Sequence, residues 1–197
     1  MYNSRKKIAC FFVLFSFCII TGFTDPEIKT IQFQRDENGY IQFFTNDVSL
    51  YNYGFTGYSE EIISSGVFEL EIVLNSGSEY VGRGMIFGAE NEHKWYAILI
   101  ETRGSYTIIK NINGQLTELA KGSTNQITRG LGNSNIVKAV RRGRNIEIFI
   151  NNNRRPIYTI RNIEFEGDKM GYFVMVGDSE FESFPQIPLD IRFRKIY

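Results

Sequence analysis

Alternation of apolar and polar residues, in short segments along nearly the whole chain, is the feature that most constrains what this sequence can fold into. Segments of period two lie near 39–44 (GYIQFF), 48–55, 67–74 (VFELEIVL), 84–89, 95–101, 105–111, 115–120, 136–141, 145–150, 155–160, 170–176 and 189–196. Successive side chains of a strand point to opposite faces, so each segment reads as a half-buried strand. The 3.6-residue period of an amphipathic helix is nearly absent. Between the segments lie NSGSE, GAENEHK, TRGS, NINGQ, RRGRN and NNNRR, rich in residues that accept turn conformations. Many short strands at regular spacing predict an all-β antiparallel sandwich or barrel. No stretch looks like a crossover helix, which disfavours a parallel sheet.

Composition supports this reading. The chain has 197 residues with 17 Phe and 11 Tyr, enough for one domain with a substantial core, and no linker divides it. Residues 1–24 form a separate object. MYNSRKK is basic, IACFFVLFSFCII is a short apolar run, and TGFTDP ends it with small residues and a proline. That order predicts a secretory signal peptide over 1–24 rather than a membrane span, leaving 25–197 as the mature domain. Both cysteines, Cys10 and Cys18, lie inside the signal. Phe17 before Cys18 argues against a lipoprotein, and the mature chain has no thiol for a disulfide, a nucleophile or a metal. The full chain carries 22 basic and 22 acidic residues; removing Arg5, Lys6 and Lys7 leaves 19 against 22, a net charge of −3. A mildly acidic domain is poorly suited to nucleic acid. The expected location is outside the cytosol: secreted, periplasmic or in the cell envelope.

One hairpin can be read in detail. In IVKAVRRGRNIEIFINNN, Gly143 is placed to take a positive φ, and Ile146, Ile148 and Ile150 then share a core face opposite Glu147 and Phe149. Together with FELEIVLNSG, the stretch GRGMIFGAENEHKWYAILIETRGSYTIIKNINGQL, GDKMGYFVMVG and LDIRFRKIY, this hairpin resembles the laminin G-like, concanavalin A-like jelly rolls of the lectin–glucanase group, in particular bacterial LamG-like domains. The resemblance covers about residues 30–197. Its most specific piece is Asn135, a strand, Gly143, and a strand ending in Asn151. The family usually has Gly after that Asn, where this chain has Asn152. The resemblance implies a two-sheet antiparallel jelly roll, with ligands on the concave sheet or its rim loops.

Catalytic chemistry is mostly missing. Glucanases of this fold carry a Glu, an Asp two residues on and a further Glu on one strand, because alternate residues reach the same bond. Glu69 and Glu71 share a face, but the Asp and the third acid are lacking; Glu164, Glu166 and Asp168 sit beside a glycine turn. His93, in a charged loop, has no second His or Cys with which to build a zinc site and is expected to be solvent-exposed. No cofactor is expected; ENE and GDSE offer oxygens for calcium without the spacing of a calcium loop.

Several features keep two readings. Trp95 lies opposite the apolar Tyr96–Ile98–Ile100 face and is either buried packing or an exposed ring for stacking a sugar. Tyr51, Tyr53 and Phe55 share a face that is either an adhesive patch or cover for the sandwich. Arg141, Arg142, Arg144, Arg154, Arg155 and Arg161 form either an anion patch or a solvated edge. The expected function is a noncatalytic binding module for glycans or envelope polysaccharide, with Trp95, Arg103, Lys138 and Glu147 as ligand residues and no catalytic or metal residue. A small carbohydrate-active hydrolase and a protein-adhesion or structural envelope domain are the alternatives.

Overall fold

The computed structural model describes residues 27–47, 53–176 and 188–196. The expected signal peptide, Tyr51 and the GDSE stretch lie outside them. The described residues hold fourteen strands: β1 (Glu27–Thr30), β2 (Gln34–Arg35), β3 (Ile41–Thr45), β4 (Tyr53–Ile62), β5 (Val67–Ser76), β6 (Gly82–Asn91), β7 (Lys94–Ile100), β8 (Ser105–Ile112), β9 (Gln115–Ser123), β10 (Ser134–Arg142), β11 (Asn145–Ile150), β12 (Tyr158–Arg161), β13 (Lys169–Val176) and β14 (Leu189–Lys195). They form two seven-stranded sheets, β1-β4-β13-β6-β7-β8-β9 (sheet A) and β12-β11-β10-β5-β14-β3-β2 (sheet B). The chain crosses repeatedly between sheets, as a jelly roll does. Its longest local piece is the β6–β9 meander, within which lies GMIFGAENEHKWYAILIETRGSYTIIKNINGQL.

One pair departs from the antiparallel expectation: β1 runs parallel to β4 at the edge of sheet A. No crossover helix is needed, because β2 and β3 between them belong to sheet B. Strand β4 also runs past the expected segment, to Ile62, over TGYSEEI, where the alternation is weak. Its pairing with β13 supplies the order that local pattern lacks.

The space between the sheets is filled by the alternation. Phe68, Leu70, Ile72 and Leu74 of β5 and Ile146, Ile148 and Ile150 of β11 face Met85, Phe87, Tyr96, Ile98 and Ile100 of sheet A. Phe55 belongs to this core and Tyr53 packs against it, so these two rings cover the sandwich interior instead of forming an adhesive patch. A second apolar cluster, Ile86, Ala89, Trp95, Ala97, Leu99, Ile109 and Phe173, lies on the other side of sheet A. Strands β6 and β7 are therefore buried on both faces, which explains their near-continuous apolar runs.

The motif around Asn135 and Asn151 has a structural cause. Buried Asn135 accepts the Thr128 N–H through Oδ1 (2.7 Å) and donates through Nδ2 to the Thr128 carbonyl (2.9 Å). Asn151 accepts the Ile136 N–H (2.9 Å), donates to the Gln126 carbonyl (2.6 Å) and also donates to Asn135 Oδ1 (3.2 Å). The pair holds the backbone on both sides of Ile127, whose side chain enters the core. Asn151 does this at φ 55°, a left-handed conformation that Asn tolerates. The turn thus takes its positive φ at Asn151 itself.

Candidate functional site

The four residues expected to form one ligand site lie on different faces. Lys138 and Glu147 project from the outer face of sheet B, where each already has a partner: Lys138 Nζ lies 3.1 Å from Glu69, and Arg142 Nε 2.8 Å from Glu147. Trp95 projects from the outer face of sheet A, the side expected, but as packing. Its ring is 1% exposed, meets Phe173 edge-on at 5.4 Å, and donates Nε1–H to the Glu92 carbonyl (3.0 Å). The expectation of an exposed stacking platform is corrected, because the second apolar cluster closes over the indole. Trp95 is the only tryptophan of the chain. Its emission is therefore expected to be blue-shifted and insensitive to acrylamide; emission typical of a solvated indole would contradict this packing.

Arg103 lies on the same side of the molecule as a real concavity. An open groove of about 280 Å³ runs over the outer face of sheet A. Gly82, Leu99 and Met175 form its floor, and Tyr80, Glu101, Thr107, Glu118 and Lys121 its rims. Gly82 makes the floor low: a Cβ there would only touch Leu99 and Met175 at ordinary distances. Its neighbour Gly84 is glycine for a different reason, since a Cβ would strike the Ile98 carbonyl oxygen of β7. Arg103 fixes one end of the groove. Its guanidinium pairs with Glu101 and lies over the Tyr80 ring at 4.4 Å from the centroid. Behind this end sits Arg83, 1% exposed, donating from one terminal nitrogen to the carbonyls of Val81 and Ile100. Burial pulls its pKa down to about 10, with Glu101 and Glu79 opposing, so it stays charged at neutral pH.

Three of the five acids considered from sequence are engaged as structural partners, and Glu166 and Asp168 have no side-chain partner among the described residues. Glu69 pairs with Lys138, and Glu71 bridges Arg194, Ser134 and Tyr40 across the outer face of sheet B. Glu164 pairs with Lys110. His93 is an exposed loop residue beside Glu92, as expected. Among the described residues, no three His, Cys, Asp or Glu side chains are grouped so that they would hold a metal ion. The outward positions of β7 beside the groove, Trp95, Ala97 and Leu99, are all apolar. The arginine cluster divides: Arg142 and Arg144 flank the β10–β11 turn with Arg161 opposite Asn145, whereas Arg154 and Arg155 follow the other end of β11. Tyr80, Glu118 and Lys121 had no signal in sequence beyond turn and strand composition; only register brings them around one groove.

Comparison of the sequence with protein-family models and with curated proteins finds no match. The fold does have solved relatives. A carbohydrate-binding module (CBM66) from Bacillus subtilis superposes with a TM-score of 0.52 at 11% identity, over 83% of this chain and 88% of that one. A Bacillus licheniformis β-glucanase gives 0.56 at 12% identity, over 83% and 79%. A Bacteroides ovatus GH16 protein, solved with a mixed-linkage glucan product, gives 0.57 at 10% identity, over 88% and 90%. At such identities likeness speaks for the fold alone. The described chain is thus a concanavalin A-like jelly roll, the fold shared by these carbohydrate-binding and glucanase structures.

Proposed function

We propose that the protein is an exported, noncatalytic glycan-binding module whose ligand lies in the groove on the outer face of sheet A. The groove itself carries the reading. An apolar floor between an aromatic ring and fixed polar groups matches the alternation of C–H faces and hydroxyls on a sugar. Tyr80 supplies the ring that buried Trp95 does not, and Glu101, Thr107, Glu118 and Lys121 supply donors and acceptors. Arg103 holds Tyr80 and Glu101 in place, so binding loses little side-chain freedom. The carbohydrate-binding module and glucan-bound protein of the same fold agree with this choice of ligand class.

Spacing favours binding over hydrolysis. The two rim carboxylates are Glu101 and Glu118. Glu118 pairs with Ile109, and Ile109 with Ala97, so Glu118 lies two strands over and four residues along from Glu101. That is about 13 Å along the strand and about 10 Å across. Those are backbone offsets; the carboxyl groups of a glycosidase pair stand roughly 5–9.5 Å apart across one bond, and here the Glu101 carboxylate is already tied to Arg103.

A glycan array probed with the domain is the direct test. Tyr80→Ala is expected to weaken binding about tenfold, and Gly82→Val, which raises the floor, by at least as much. Both variants should melt close to the parent. Binding unaffected by either would remove the groove as the site, and release of new reducing ends from a bound glycan would replace the module with a hydrolase. Export has its own measurement: N-terminal sequencing of protein from the envelope or medium is expected to begin near Asp25. Cytosolic protein with an intact Met1 would contradict it.

A further inference from the structure

Away from the groove, residues of β2, the β2–β3 turn and the end of β14 in sheet B, with Tyr172 of sheet A, line another open cavity of about 400 Å³. This is within the range of about 300–1,000 Å³ usual for small-molecule sites. Its wall consists of Arg35, Asn38, Gly39, Tyr172, Arg194, Lys195 and Ile196; Arg35 and Lys195 bring their charges to the inner side, while the Arg194 guanidinium turns to Glu71 and Tyr40 on the outer face of sheet B. Strand register explains how charge came to be there. Arg35 of β2 is paired with Ile41, which faces the core, so Arg35 stands on the inner side of sheet B, exposed at its open edge. Lys195 continues the inward series Ile191–Phe193 and reaches across to sheet A, its Nζ 2.6 Å from Glu61 of β4. Where alternation elsewhere places apolar residues, this corner therefore has cations.

Inward-pointing charge on an edge strand such as β2 discourages pairing with other sheets. That accounts for a charge at Arg35 but not for a cavity walled also by Lys195 and an aromatic ring. The charges do not cancel within the protein. Lys195 is matched by Glu61 and Arg194 by Glu71, while the Arg35 guanidinium has no hydrogen bond or ion pair among the described residues. Its planar donor fork suits a carboxylate bidentately, and one uncompensated cation calls for a single negative charge. Tyr172 provides an apolar surface for the body of such an anion.

We propose that this corner is a second binding site, for a compact monoanionic carboxylate, with Arg35 as its principal donor. An acidic sugar and a small organic acid both present that chemistry. The test is titration of the isotope-labelled protein, at low ionic strength, with sodium glucuronate, sodium acetate, sodium sulfate and glucose, following backbone amide shifts. Glucuronate is expected to move the amides of Asn38, Gly39 and Ile196 saturably, while glucose leaves them in place. Arg35→Gln should weaken this at least tenfold without changing the melting temperature, and Tyr80→Ala in the other groove should leave it unchanged. Tighter binding of glucuronate than of acetate assigns the source to acidic sugars; equal binding assigns it to organic acids, and either result supports the site. Absence of saturable shifts, an equal response to glucose, tighter binding of sulfate, or indifference to Arg35→Gln would each overturn it.

Discussion

Trp95→Ala is expected to destabilise the domain by about 3–5 kcal/mol, the range for deleting a buried tryptophan ring. In a protein of this size each kcal/mol is worth about 2–4 °C, so the melting temperature should fall by roughly 6–20 °C. The reason is that the ring fills the second apolar cluster. Removing it leaves Phe173 without its edge-on partner and opens a void beside Ala97, Ile109 and Ile86 that paired strands cannot collapse to fill. Thermal unfolding followed by circular dichroism measures the change. An exposed ligand platform would behave differently, since truncating a surface residue typically shifts stability by no more than about 0.5 kcal/mol. A loss of glycan affinity in this variant is informative only at temperatures where it remains folded.

Asn135→Ala is expected to cost about 2–4 kcal/mol, because it leaves several polar groups in or beside the core without partners. The Thr128 N–H and carbonyl lose their contacts, and Asn151 Nδ2 loses one of its two acceptors. The segment carrying Ile127 is then no longer held at that end. Asn152→Ala, at the exposed neighbouring turn position, is the control and should stay within about 0.5 kcal/mol of the parent. Chemical denaturation separates the two variants. Equal, small effects would show that the asparagine pair merely decorates the hairpin and that Ile127 packing alone seats the segment.

Much of the fold is legible in the sequence. The isoleucine face of β11, the Gly143 turn and the β6–β9 meander follow from period two and turn chemistry, which are local properties. The exposed position of His93 was local as well, since a lone polar residue among charges in a turn has nothing to bury it. Local pattern is insufficient where burial depends on distant strands. Trp95 was placed on the correct side of β7, but whether that side is wet depends on Phe173, which lies more than seventy residues away in sequence. The parallel β1–β4 pair has no signature in the sequence, because both strands are weakly patterned and their pairing is set at the edge of sheet A.

The candidate sites were the least legible part. Trp95, Arg103, Lys138 and Glu147 all look alike in sequence as outward residues of strands or turns, yet two sheets have two outer faces, and alternation does not say which face belongs to which sheet. Tertiary structure separated them, leaving Arg103 beside a groove whose other walls, Tyr80, Glu118 and Lys121, are contributed by the approach to β6 and by the edge strand β9. Sequence by itself determined that this chain makes strands, which residues alternate, and where the turns fall, because those depend on neighbours one or two residues apart. Sheet order, the dry outer patch around Trp95, the groove and the cationic corner were decided only by the tertiary fold, because each is made of side chains brought together by strand pairings between distant parts of the chain.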